Sequence, residues 1–221
     1  MSPIYLNKKI FKHKIIVYPK QQVNAVFVHI PKTAGTSIKV FCGQNNIKIL
    51  GHGIYEESFK YLKDLQCQFH DTFLFTVCRH PLTRAISAFY YLSTGGQTEQ
   101  DKKDAEKYIL PYSGNFTEFV LNEFPKGEIL EQIHFIPQYK WVCDDKEELL
   151  VDFVCKYENL ENDFRKIATI FGNRFFELPK LNRTTKFSNS VDINQVEKHI
   201  KEAYGKDYAL FNYEGYNYDF L

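Results

Sequence analysis

Two stretches of this chain carry residue types whose spacing could do chemistry on an anion. The first is HIPKTAGTSI, residues 29–38, where a β-branched run stops at Pro31 and a helical pattern begins a few residues later. Thr33, Ala34, Gly35, Thr36 and Ser37 are small enough to let backbone N–H groups turn toward one point at a helix N-terminus, where amides and helix dipole favour negative charge. Lys32 adds a mobile positive charge, and the hydroxyls of Thr36 and Ser37 add donors. The same residues would also suit a plain strand–helix turn in which a Ser or Thr only caps the helix. Residue order restricts the ligand. In a nucleoside-triphosphate loop the lysine follows the last glycine, whereas Lys32 precedes Gly35 and no upstream glycine is present.

The second stretch is CRHPLTRAISAFYYL, residues 78–92. Arg79 stands at the end of an apolar run, where a magnesium site would want an aspartate. Ser87 falls two turns into the following helix. Arg84, Ser87 and Tyr91 share one helical face, and Leu82, Ile86 and Phe89 form a core stripe. An arginine and a serine at a strand–helix junction can clamp a phosphate without metal. Surface arginines beside a helical serine would leave the same pattern.

Taken together, IPKTAGTSI followed by Arg79, Pro81, Arg84, Ser87 and Tyr90 in the pattern R-x-P-x-x-R-x-x-S-x-x-Y resembles the sulfotransferases that use 3′-phosphoadenosine 5′-phosphosulfate. The likeness is greatest to the carbohydrate branch, which includes the heparan-sulfate 2-O and chondroitin enzymes. Fainter echoes lie in HFIPQYKWVC (134–143), VCKYENLENDF (154–164) and KLNRTTK (180–186). The resemblance implies a P-loop-like α/β fold and no metal. It also implies a donor whose 5′-phosphosulfate is held by Lys32, Thr33, Ala34, Gly35, Thr36 and Ser37. The donor's 3′-phosphate would be held by Arg79 and Ser87. Lys180, Arg183 and Lys186 resemble the family's gate over the nucleotide, with Arg183 touching it; an ordinary solvated basic loop is the alternative. Adenosine 3′,5′-bisphosphate would be the product, and Lys32 would meet the charge that develops on the bridging oxygen as it leaves.

A hydroxyl acceptor needs a general base within hydrogen-bond reach, and histidine titrates in the right range. His52, between Gly51 and Gly53, follows an expected second strand at the carboxyl edge where open α/β sheets place their sites. It also resembles the Gly-His context of the heparan-sulfate 2-O enzymes. His134 is the second candidate, by likeness to chondroitin-type relatives. His29, inside the first motif, is expected to pack or orient the loop, and His80 to cap a helix or face solvent. Two other classes remain open: a P-loop kinase or NTPase using magnesium and ATP, and a non-catalytic nucleotide- or glycan-binding relative.

The elements that must position these residues alternate. Strands are expected at 23–30, 47–50, 72–79 and 151–157, and helices from Thr36 to Gly43 and over 56–65 and 81–92. Further helix is expected over 115–142, from Glu158 toward Gly172, and over 192–204. Such alternation predicts a parallel sheet flanked by helices. One domain spanning 1–221 with helical decorations suits the length. The polar stretch 93–107 reads as an exposed or mobile loop, and the aromatic tail from Tyr208 as packing back. With 20 Phe and 15 Tyr, disorder is excluded. Lys+Arg 28 against Asp+Glu 27 gives +1, so no global field recruits nucleic acid, and an anion site must be local.

Five cysteines without a CxxC pair suggest reduced structural thiols, a Cys143–Cys155 disulfide being the exception. No signal peptide or spanning segment is visible. The expected location is cytoplasmic, with the luminal domain of a membrane-anchored chain as the competing view. The expected partner is a carbohydrate or other hydroxyl-bearing acceptor. The oligomeric state is left open.

Overall fold

The structure is a computed structural model that describes residues 25–44, 47–50, 73–170 and 191–216. Strands β1 (Ala25–Val28), β2 (Lys48–Leu50), β3 (Phe73–Cys78) and β4 (Phe153–Lys156) form a parallel sheet in the order β2-β1-β3-β4. In that register Val28 faces Leu50 and Thr76, while Cys78 faces Lys156. Parallel strands are buried on both faces and read as continuous apolar runs. Accordingly, AVFV of β1 and FLFTVC of β3 are buried at every position.

The described residues fall into two compact units. The first holds the sheet, α1 (Gly35–Gln44) and α5 (Leu160–Ile170). Ile38, Phe41 and Cys42 form one stripe of α1, and Phe164 and Ile167 one stripe of α5. Both stripes lie on the sheet face made by Phe27, Phe73, Phe75 and Val77, with the rings of Phe41 and Phe164 edge to face at 4.7 Å. Burial pushes the Cys42 thiol up to about 12, which makes it a packing group without nucleophilic character. Asp152 brackets Leu74 at the start of the β3–β4 pairing. Its backbone N–H donates to the Leu74 carbonyl and its Oδ2 accepts from the Leu74 N–H, each at 2.8 Å.

The second unit holds α2 (Pro81–Ser93), α3 (Glu99–Asp104), α4 (Phe116–Glu123) and α6 (Ile193–Leu210). Pro81 sits in the first turn of α2, where its missing N–H costs nothing. Leu82, Ile86 and Phe89 are fully buried, as their spacing predicts. The guanidinium of Arg84 is also fully buried and donates to the carbonyls of His134 (3.1 Å) and Ile136 (2.7 Å). That makes Arg84 a brace of the 134–136 turn, which excludes the surface arginine that the sequence left as an alternative.

Several expectations need correction. Helix does not run through 115–142: α4 stops at Glu123, and short 3₁₀ turns follow. Pro125 and the left-handed Gly127 (φ 80°) break the pattern. The polar stretch 93–107 is not an open loop. Thr98 and Asp101 form a reciprocal capping box that starts α3, which runs on into a π turn over Ala105–Ile109. His80 takes the N-cap position of α2, without a side-chain cap bond, and does not face solvent; it is fully buried, with its ring against those of Tyr208, Tyr213 and Tyr216. Those contacts place the aromatic tail back on its own unit, as its composition predicts. Cys143 and Cys155 are buried thiols, so the disulfide considered between them is not formed. Among the described residues no helix is long and apolar enough to cross a membrane. The expected helix at 56–65 and Gly172, toward which the helix from Glu158 was expected to run, lie outside the described residues.

Candidate functional site

β1 leaves the ladder at Val28, and the chain turns through 29–34 before α1 begins at Gly35. Within that turn Lys32 (φ 68°) and Ala34 (φ 73°) both adopt the left-handed conformation. For residues with a Cβ this costs on the order of 1–2 kcal/mol each, so the surrounding structure must enforce it. Residues of alternating hand curl successive N–H groups toward a common point, which makes a concavity for an anion. The Thr33 hydroxyl donates to the Ile30 carbonyl (2.8 Å) and ties the turn internally. Gly35 faces the His29 ring, which stacks on Phe27 at 5.6 Å. A Cβ on Gly35 would come within 1.7 Å of His29 Nε2, so only glycine allows the helix to start here. The first intrahelical bond runs from the Ile38 N–H to the Ala34 carbonyl (3.2 Å), and the first turn carries no acidic residue to compete with a bound anion. Thr36 is exposed, Ser37 buried and Lys32 half-buried.

Arg79 meets this loop within the same unit. Its Nη1 donates to the Lys32 carbonyl (3.3 Å), and its guanidinium lies over the Tyr157 ring, 4.3 Å from the centroid. Its backbone is paired twice by the Gln138 amide. The Arg79 N–H donates to Oε1 (2.9 Å), and Nε2 donates to the Arg79 carbonyl (2.8 Å). Gln138 is completely buried. Lys32, Thr33, Ala34, Gly35, Thr36, Ser37 and Arg79 are thus brought together at the carboxyl edge of the sheet, where open α/β folds bind ligands.

In the second unit Ser87 is buried midway along α2. His134 is buried, with Nε2 3.0 Å from Asp101 Oδ1. The other oxygen of that carboxylate accepts from the Tyr91 hydroxyl (2.8 Å) and from the N–H groups of Gln97 and Thr98 (3.0 Å each). Burial alone would raise the Asp101 pKa. The donors of Gln97, His134, Tyr91 and Thr98 outweigh it and hold the carboxyl well below the usual carboxylate range. His52 and Arg183, with Lys180 and Lys186, lie outside the described residues.

Sequence reasoning overlooked Gln138 and Tyr157. Gln138 is 59 residues from Arg79 and carried no local signal. Tyr157 is the residue after Lys156, which faces Cys78, so it neighbours Arg79 through a register that only the structure gives.

A parallel α/β sheet with a lysine-bearing, left-handed turn and a held arginine at its carboxyl edge belongs to a class of folds whose carboxyl edge can receive a phosphate-like anion. Within that class the chain belongs to the sulfotransferase family, whose model matches residues 13–214. Members of that family are transferases of sulfuryl groups. No curated protein and no solved structure matches the chain.

Proposed function

We propose that the protein transfers a sulfuryl group from 3′-phosphoadenosine 5′-phosphosulfate to a hydroxyl of a carbohydrate acceptor, by direct in-line displacement. The observation that carries this reading is the pairing, within one unit, of the strained Lys32–Ala34 turn with a stacked and hydrogen-bonded Arg79. The turn suits a phosphosulfate. Arg79 suits a second, separate phosphate, which a 3′-phosphate supplies. A lysine and backbone amides are an adequate complement for a sulfuryl group, which carries less charge than a terminal phosphate.

In this reading the amides of Thr33 to Ser37 hold the phosphosulfate. Thr33 acts through its backbone, because its hydroxyl is engaged by Ile30. Lys32 neutralises charge on the bridging oxygen as the sulfur–oxygen bond breaks. By the sequence resemblance, Ser87 and Arg183 also bind the donor. His52 takes the proton of the acceptor hydroxyl. His134 is the second reading for that base, favoured by the Asp101 carboxylate that fixes its ring, as carboxylates orient catalytic imidazoles elsewhere.

Calorimetric titration of adenosine 3′,5′-bisphosphate, with magnesium–ATP and ADP as competitors, tests the donor on wild type and Arg79→Ala. Tight binding of the bisphosphate that weakens in the variant is expected. Preference for magnesium–ATP would overturn the reading in favour of a kinase. His52→Ala should abolish turnover and keep bisphosphate binding; unchanged turnover would move the base to His134.

A further inference from the structure

β1 and β3 do not end together. β1 stops at Val28, opposite Thr76, while β3 continues to Cys78, opposite Lys156 of β4. Arg79 therefore emerges where the ladder on its β1 side has run out, yet it is only 7% exposed. A buried backbone N–H and carbonyl must find partners. Gln138 supplies both from one side chain, in the two-point manner of a strand neighbour. On the β4 side the residue after Lys156 is Tyr157, whose ring lies under the guanidinium.

We propose that Gln138 and Tyr157 are positioning residues that fix Arg79 in advance for the donor's 3′-phosphate, and so set the preference for a 3′-phosphorylated nucleotide. This rests on the function proposed above. An arginine side chain loses much rotamer freedom when a ligand fixes it. Held at its backbone by an amide, at its face by an aromatic ring and at Nη1 by the Lys32 carbonyl, Arg79 has much of that cost met before ligand arrives. Its guanidinium is thereby held beside the Lys32 turn. The 5′ end of the ligand is left to the turn, so the two positioning residues should bear on the 3′-phosphate alone.

The test compares the affinities of adenosine 3′,5′-bisphosphate and adenosine 5′-monophosphate by calorimetry on wild type, Arg79→Ala, Tyr157→Leu, Tyr157→Phe and Gln138→Met. Wild type should prefer the bisphosphate, and Arg79→Ala should abolish that preference. Tyr157→Leu should cut the preference by about tenfold, the size of one partly desolvated cation–π contact. Monophosphate affinity should stay unchanged, which a merely structural defect would not allow. Tyr157→Phe keeps the ring and should keep the preference. Gln138→Met should lose it as Tyr157→Leu does. An undiminished preference in Tyr157→Leu overturns the positioning role and leaves the donor assignment standing. A loss in Tyr157→Phe equal to that in Tyr157→Leu also overturns it, since the hydroxyl would then be touching ligand. A wild type indifferent to the 3′-phosphate overturns both this inference and the function beneath it.

Discussion

Gly35→Ala separates two physical effects of opposite sign. Gly35 opens α1 without a positive φ, so its backbone accepts alanine, and in a helix alanine is favoured over glycine by up to ~1 kcal/mol. Propensity alone therefore predicts stabilisation. Packing predicts the reverse. The new Cβ would lie 1.7 Å from His29 Nε2 and 2.3 Å from Cε1, against ~3.5–4.0 Å for an ordinary contact. The ring would have to withdraw by roughly 2 Å while buried and stacked on Phe27. Overpacking of that kind costs ~1–3 kcal/mol, which outweighs the propensity gain. For a chain of this size the net loss lowers the midpoint of thermal unfolding by several degrees, at ~2–4 °C per kcal/mol. Bisphosphate affinity should fall with it, because the displaced atoms belong to the anion turn. The decisive assay is urea unfolding of the cycle Gly35→Ala, His29→Ala and the double variant. With the ring removed, adding Ala at 35 should become neutral or stabilising. Additive losses in the double variant would refute the clash as the reason for this glycine.

Two further outcomes follow from buried carboxylates. Burial raises the pKa of Asp152 from its ordinary 3.8 to about 6, with the Leu74 N–H bond opposing the rise. The fold thus favours the protonated acid. Stability should fall as pH climbs from about 4 through about 6, and Asp152→Asn should be more stable than wild type at pH 7.5 by at most ~3 kcal/mol, with the gap closing at pH 4; an equal gap at both pH values by urea unfolding would count against this cause. At Asp101 the carboxylate serves His134, Tyr91 and two backbone N–H groups, so Asp101→Ala and His134→Ala should each destabilise by ~1–3 kcal/mol and should couple, the double variant losing clearly less than the sum.

The sheet was legible because strands buried on both faces leave an unbroken apolar signature, as in FLFTVC. α2 was legible because Leu82, Ile86 and Phe89 keep a helical period behind Pro81. The region 93–107 was misread on composition. Its polar residues looked solvated, yet Asp101 is buried by donors from Tyr91, His134 and its own turn. The Thr98–Asp101 spacing was a local sign of a helix start that the polarity obscured. The Arg84 side chain illustrates the opposite limit. Helical spacing placed it on one face with Ser87, but its partners are carbonyls 50 and 52 residues away, which no periodicity encodes.

The same division runs through the candidate site and explains how it arises. The residues of the turn stood out in the sequence as small residues and a lysine between strand and helix, a pattern a plain capped turn would also leave. What places Arg79 was not, because it depends on strand lengths. β1 ends two positions before β3, so the edge of the sheet has a step. On the low side of that step the chain turns through 29–34, with Lys32 and Ala34 in left-handed conformations. On the high side Arg79 is left with an unladdered backbone and a guanidinium over the next residue of β4. The candidate site thus sits at a step in the sheet edge, where the Gln138 amide pairs the Arg79 backbone that no strand ladders.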